Sequence, residues 1–201
     1  MQGETQRQIE HVTPVAFALL LRWIPLWLAV LLAALSVVYG GVVSPRLFHR
    51  TLRGDEAARG YSTGKILYGL SVLVLLLVFG LTCGEGKFYV VAGAWALLGV
   101  GDAAANFVGR SWGRAKVPWN REKSWAGLAG FIVFGTLAAG LLIWWVSGGK
   151  NHPPLALVES MLLALGAAAA AGVVETLRVP HVNDNVSVPA TGALVIYLMT
   201  L

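Results

Sequence analysis

Six apolar runs, most of them near the length needed to cross a bilayer, decide what this chain can fold into. They are Phe17 to Val43, Ile66 to Thr82, Phe88 to about Val108, Trp125 to Ser147, Leu155 to Val174, and Ser187 to Leu201. A helix needs about 20 apolar residues to span the hydrocarbon core, so the runs use up most of a chain of 201 residues. Charged residues make up only 12% of it and mean hydropathy is +0.70. A soluble domain carries about 25% charged residues, so this chain cannot cover a globule with charge. Inside lipid every backbone polar group needs an internal partner, which makes the runs helices. The sequence therefore predicts one all-α domain, a polytopic transmembrane helical bundle of about six spans, with no room for a soluble enzyme domain. Disorder is excluded because it requires low hydrophobicity. Arg22 and Pro25 interrupt the first run. It is expected as a tilted span or a short lead-in plus a span; a hairpin there would make seven.

Charge sets the expected orientation. The connections 44–65, 109–124 and 175–186 carry eleven Lys and Arg residues, from Arg46 to Arg178. Arg7, Lys87 and Lys150 fall on the other side, with Arg22 inside the first run. By the positive-inside rule the three basic connections face the cytoplasm. The expected setting is a bacterial inner membrane with the working face toward the cytoplasm. The pI near 9.7 then reflects topology and anionic head groups rather than nucleic acid. The single cysteine, Cys83, excludes an internal disulfide and any CxxC site. The four histidines show no metal-ligand spacing.

The central segment carries the chemistry. Asp102 sits in an otherwise apolar run, and an acid there is a functional candidate. Asp102, Asn106 and Arg110 share one helix face at intervals of four, with Gly109 and Gly113 on nearly the same stripe. That set suits a metal-bound phosphate; the alternative is a buried Asp102–Arg110 ion pair with small-residue packing. Lys116, Arg121 and Lys123 precede a helix starting near Ser124. A helix N-terminus flanked by cations is an anion site, with Ser124 as a cap or a phosphate ligand and Gly127 keeping the first turn bare. Topology alone is the alternative for those cations. Glu175 closes the fifth run, and Asp184-Asn185 opens the sixth, as a helix cap or as partners of Asp102 at the cytoplasmic mouth. His49 and Arg50 are candidates on the acceptor side, or interfacial residues. No GxxxxGK[ST] loop and no protein-kinase motif set occurs.

Five elements occur in order: Gly-Asp-x-Ala-Ala at 101–105, Gly-Arg-x-x-Gly at 109–113, Lys-Ser-Trp-Ala-Gly at 123–127, Val-Glu-Thr at 174–176 and Asp-Asn-x-x-Val-Pro at 184–189. Together they resemble the CTP-dependent prenol kinase family of phytol, farnesol and dolichol kinases and a CTP-dependent diacylglycerol kinase. The wider group resembles phosphatidate cytidylyltransferases. The likeness covers about residues 60–201. Asn183 stands where the family pattern has a second acid, and the acceptor region around His49 matches only in part. The resemblance implies transfer of the γ-phosphoryl of CTP to a lipid alcohol in the bilayer. It implies that Asp102 and Asp184 hold Mg²⁺, with Asp102, Lys123, Glu175 and Asp184 catalytic. Asn106, Gly109, Arg110, Gly113, Lys116, Arg121, Ser124, Gly127 and Asn185 would line the nucleotide phosphates.

A CTP:phospholipid transferase is the competing enzyme reading, and a small transporter or assembly protein the non-enzymatic one. Transporters show inverted repeats, and none is visible here. The sequence leaves the alcohol and the oligomeric state open. The charge pattern makes one direct prediction. In a Cys83-free background, Lys116→Cys is shielded from an impermeant thiol reagent in intact cells and labels after permeabilisation; labelling in intact cells reverses the topology.

Overall fold

The structure is a computed structural model that describes residues 12–47, 56, 59–149, 153–177 and 183–201. It is almost wholly helical. We label the helices α1 (Leu26–Leu47), α2 (Thr63–Thr82), α3 (Glu85–Trp112), α4 (Trp125–Ser147), α5 (Leu157–Thr176) and α6 (Asp184–Leu198). The first five are long and apolar enough to cross a membrane. α6 has 15 residues, about 22 Å at 1.5 Å per residue. A small antiparallel hairpin, β1 (Lys116–Val117) and β2 (Asn120–Ser124), joins α3 to α4. The bundle is otherwise helical, as the sequence predicts.

The first apolar run does not form one tilted helix. It divides at Pro25 into a 3₁₀ segment, Thr13–Arg22, and α1. Proline lacks an N–H and cannot continue an i→i−4 ladder. The 3₁₀ segment ends where α1 begins: Arg22 Nη1 donates to Trp145 O (2.6 Å) near the end of α4, and Leu26 N donates to Glu85 Oε1 (2.7 Å) at the start of α3. Both sides of the break at Pro25 are therefore anchored at the end of the bundle where α4 ends and α3 begins.

α3 is the centre and α1 the periphery: 78% of the apolar window of α3 is buried, against 17% for α1. α3 packs on α4, α2 and α6, and α5 packs on α4 and α6, whereas α1 rests mainly on α2. Close approach is built from small residues. Ala164, Ala167, Ala168 and Ala171 of α5 are fully buried. The outer surface is apolar, with Leu31, Leu35, Val133, Leu137 and Leu162 exposed, as lipid contact requires. Exposed Trp125 and Trp144 stand near opposite ends of α4, about 29 Å apart, the thickness of a hydrocarbon core. Tryptophan favours that interface.

Two irregularities position the site. In α3 the turn Leu97–Gly101 is π-helical and ends directly before Asp102. Such single π turns recur at functional sites. In α6, Pro189 removes the N–H that would bond the carbonyl of Asn185. Ser71 of α2 supplies the missing donor, its Oγ lying 2.6 Å from Asn185 O.

That substitution of donors is testable. Ser71→Ala lowers stability by about 1–3 kcal/mol, the cost of a buried carbonyl left unpaired. In a Pro189→Ala background the backbone N–H returns and the same substitution costs less. Thermal unfolding of the four proteins in detergent measures the coupling; equal Ser71→Ala costs in both backgrounds refute the assignment.

Candidate active site

The site lies where α3 ends, the hairpin turns and α4 begins. Gly113 is the C-cap of α3, its N–H bonded to Gly109 O at 3.0 Å. A Cβ there would sit 2.0 Å from Gly109 O and 2.5 Å from Ser124 Oγ, so only glycine fits. Pro118 and Trp119 form the hairpin turn, and the register slips by a bulge between Lys116 and Val117. Ser124 caps α4, its Oγ accepting from Gly127 N at 3.1 Å. Gly127 is not bare, because a Cβ on it would lie 3.0 Å from Ala105 O. The glycines here let α3 and α4 touch.

A cavity of about 650 Å³ opens at this junction. Of the residues singled out in the sequence, Asn106, Gly109, Arg110, Gly113, Lys116, Lys123, Ser124, Gly127 and Glu175 line it, and Asp102, Arg121, Asp184 and Asn185 do not. Ser111, Arg114 and Glu122 also line it and were not in that group. Arg114 lies just past the Gly113 cap that ends α3, where helical spacing gives no signal. The lining carries four cations and two acids, so the cavity favours an anion.

Lys123 is the electrostatic centre. Its ammonium donates to Glu175 Oε1 in a short ion pair and lies 3.5 Å from Asp184 Oδ2. The side chain of Glu175 is 3% exposed and that of Asp184 46%. Burial works against the charge on Lys123, but the Glu175 carboxylate, with Asp184 and Asp102 beyond it, outweighs burial and raises its pKa. Lys123 is therefore an ammonium at neutral pH and cannot serve there as a general base.

The remaining candidates are distributed around this centre. Asp102 lies one turn from the cavity-lining Asn106, whose Nδ2 donates to Asp102 O (3.0 Å) and Oδ2 (3.3 Å). Asp184 is the first residue of α6, and Asn183, rather than Asp184 or Asn185, is its cap, with Oδ1 accepting from Asn185 N at 2.9 Å. Asn185 is committed to packing, its Nδ2 donating to Gly64 O at 2.9 Å. Arg121 is exposed on β2 and does not line the cavity. His49 and Arg50 lie outside the described residues. Glu159 is exposed in the first turn of α5, at the far end from Glu175. Among the described residues no three His, Cys, Asp or Glu side chains converge to hold a metal ion.

The chain is similar to several plant kinases. It is 34% identical over 137 residues to "Probable phytol kinase 2, chloroplastic" of Glycine max, covering 68% of this chain and 45% of that protein. It is 28% identical over 165 residues to "Phytol kinase 1, chloroplastic" of Arabidopsis thaliana, covering 81% and 52%. It is 31% identical over 101 residues to "Farnesol kinase, chloroplastic" of the same plant, covering 49% and 32%. The chain spans about half the length of the curated relatives it matches. No protein-family model matches it, and no solved structure does.

The ion pair sets a measurable expectation. Lys123→Met leaves the buried Glu175 carboxylate uncompensated and costs roughly 2–4 kcal/mol in thermal or urea unfolding. Lys123→Met with Glu175→Gln costs less than the sum of the two, since no bare charge remains. Additive costs refute a stabilising pair.

Proposed function

The chain belongs to the prenol kinase family, and we propose that it transfers the γ-phosphoryl group of CTP to the hydroxyl of a prenol at the basic end of the bundle. The observation that carries this reading is the cavity of about 650 Å³ beside Lys123, lined by Arg110, Arg114, Lys116 and Lys123. Phosphoryl transfer demands positioning and charge neutralisation and little covalent work from the protein.

Mg²⁺ enters this scheme as part of the substrate, a Mg·CTP complex. The described donor set forms no metal cage, but Mg²⁺ on a nucleotide needs only one or two protein carboxylates beside phosphates and water. Asp102, next to the lining residue Asn106, is the first of these. Asp184, the more exposed partner of Lys123, is the second. Arg110, Arg114 and Lys116 hold the phosphate chain. Lys123 presents its charge to the transferring group while Glu175 anchors it from behind. Asp184 then orients the acceptor hydroxyl. The prenol tail stays in the bilayer and reaches the cavity laterally between helices. The basic end faces the compartment that holds CTP.

Purified protein given γ-phosphate-labelled CTP with phytol, geranylgeraniol or farnesol, and in a parallel sample with phosphatidate, tests the reading. The label is expected on the prenol; label in pyrophosphate, with cytidylate on a phospholipid, would make the chain a cytidylyltransferase instead. Asp102→Asn is expected to fold and insert normally and to lose activity by about a thousandfold, the scale of removing a catalytic metal contact. Wild-type turnover in that variant removes Asp102 from the mechanism.

A further inference from the structure

Asn120 makes two separate attachments with one buried amide. Its Oδ1 accepts from Glu122 N at 3.1 Å, which ties the side chain to its own strand. Its Nδ2 donates to Thr176 O at 3.1 Å, one of the last carbonyls of α5, which lack partners within the helix. Trp119 adds a second link, Nε1 to Thr176 Oγ1 at 3.0 Å, while that hydroxyl donates to Val173 O at 2.7 Å. The Trp119 ring stands edge-on to Trp125 at 5.6 Å, so the turn residue Trp119 is held by two contacts. The tip of the hairpin is thus fastened to the final residue of α5. Glu175 is the residue before that fastening, and Lys123 lies three residues after Asn120. The two halves of the ion pair ride on two backbones joined beside it.

We propose that Asn120 and Trp119 are positioning residues, which by clamping the hairpin to the end of α5 hold Lys123 in register with Glu175 in the cavity wall. The clamp fixes the charge that a phosphate chain meets on entering. This deepens the phosphoryl-transfer reading and, for its effect on turnover, rests on it.

Asn120→Asp is the informative change. It keeps the Oδ1 acceptor for Glu122 N and nearly the same shape, but sets an oxygen against Thr176 O. Trp119→Phe keeps an aromatic ring beside Trp125 and removes the N–H. The first measurement needs no activity: the non-additivity of Lys123→Met and Glu175→Gln in melting temperature, taken in the parent, Asn120→Asp and Trp119→Phe proteins. The second is the KM for CTP against kcat. The expected result is a non-additivity at least halved in both variants and a KM raised on the order of tenfold with a smaller change in kcat, as misplacement of a binding group produces. If Asn120→Asp fails to fold, Trp119→Phe decides. Unchanged non-additivity in folded variants overturns the clamp. A wild-type protein that transfers phosphate to no prenol overturns the functional reading alone, because the melting measurement still stands.

Discussion

Four breaks among the described residues are answered by a donor or acceptor from another part of the chain, and the architecture depends on that. In hydrocarbon an unpaired backbone group has no water to turn to. Pro25 ends one helical segment, and Glu85 receives the first N–H of the next. Pro189 frees the carbonyl of Asn185, and Ser71 takes it. α5 ends, and Asn120 meets Thr176 O. α4 ends, and Arg22 meets Trp145 O while its guanidinium lies 4.4 Å from the Trp145 ring centre. These polar contacts are few, and each joins segments distant in sequence. They fix which helix end meets which, while alanine and glycine packing sets how closely.

The apolar runs made the helices legible, because their length and composition are direct consequences of the solvent they face. Asp102 was legible for the same reason, as a charge where charge is costly. The grouping of Asn106, Arg110, Lys116, Lys123 and Ser124 followed from helix period and from a cap. What escaped was short and non-local. The hairpin has seven strand residues, too few for a period, although Pro118 before Trp119 carried a turn signal. The partnership of Lys123 with Glu175 spans 52 positions, and no local pattern encodes it. The Asp184-Asn185 pair stayed ambiguous because it serves a helix start and a phosphate site equally well. The amide of Asn185 donates to Gly64 O, a contact of 121 positions that no local pattern encodes.

The ion pair changes how the basic loop is understood. A cation count treats Lys123 as one positive residue among eleven. In the structure it is held between two carboxylates, and only one of them is buried. A deeply held partner fixes the position of the ammonium, and an exposed one can be exchanged for another anion at lower cost, since solvent already weakens that contact. Glu175 and Asp184 thus divide the work of holding and of yielding.

The shortness of α6 has a spatial consequence. Its far end is tied beside Lys87, whose Nζ lies 3.3 Å from Thr200 O, and its near end beside the start of α2, where Asn185 Nδ2 donates to Gly64 O at 2.9 Å. A short strut pinned at both ends sets the height at which Asp184 stands, 3.5 Å from Lys123 just before α4.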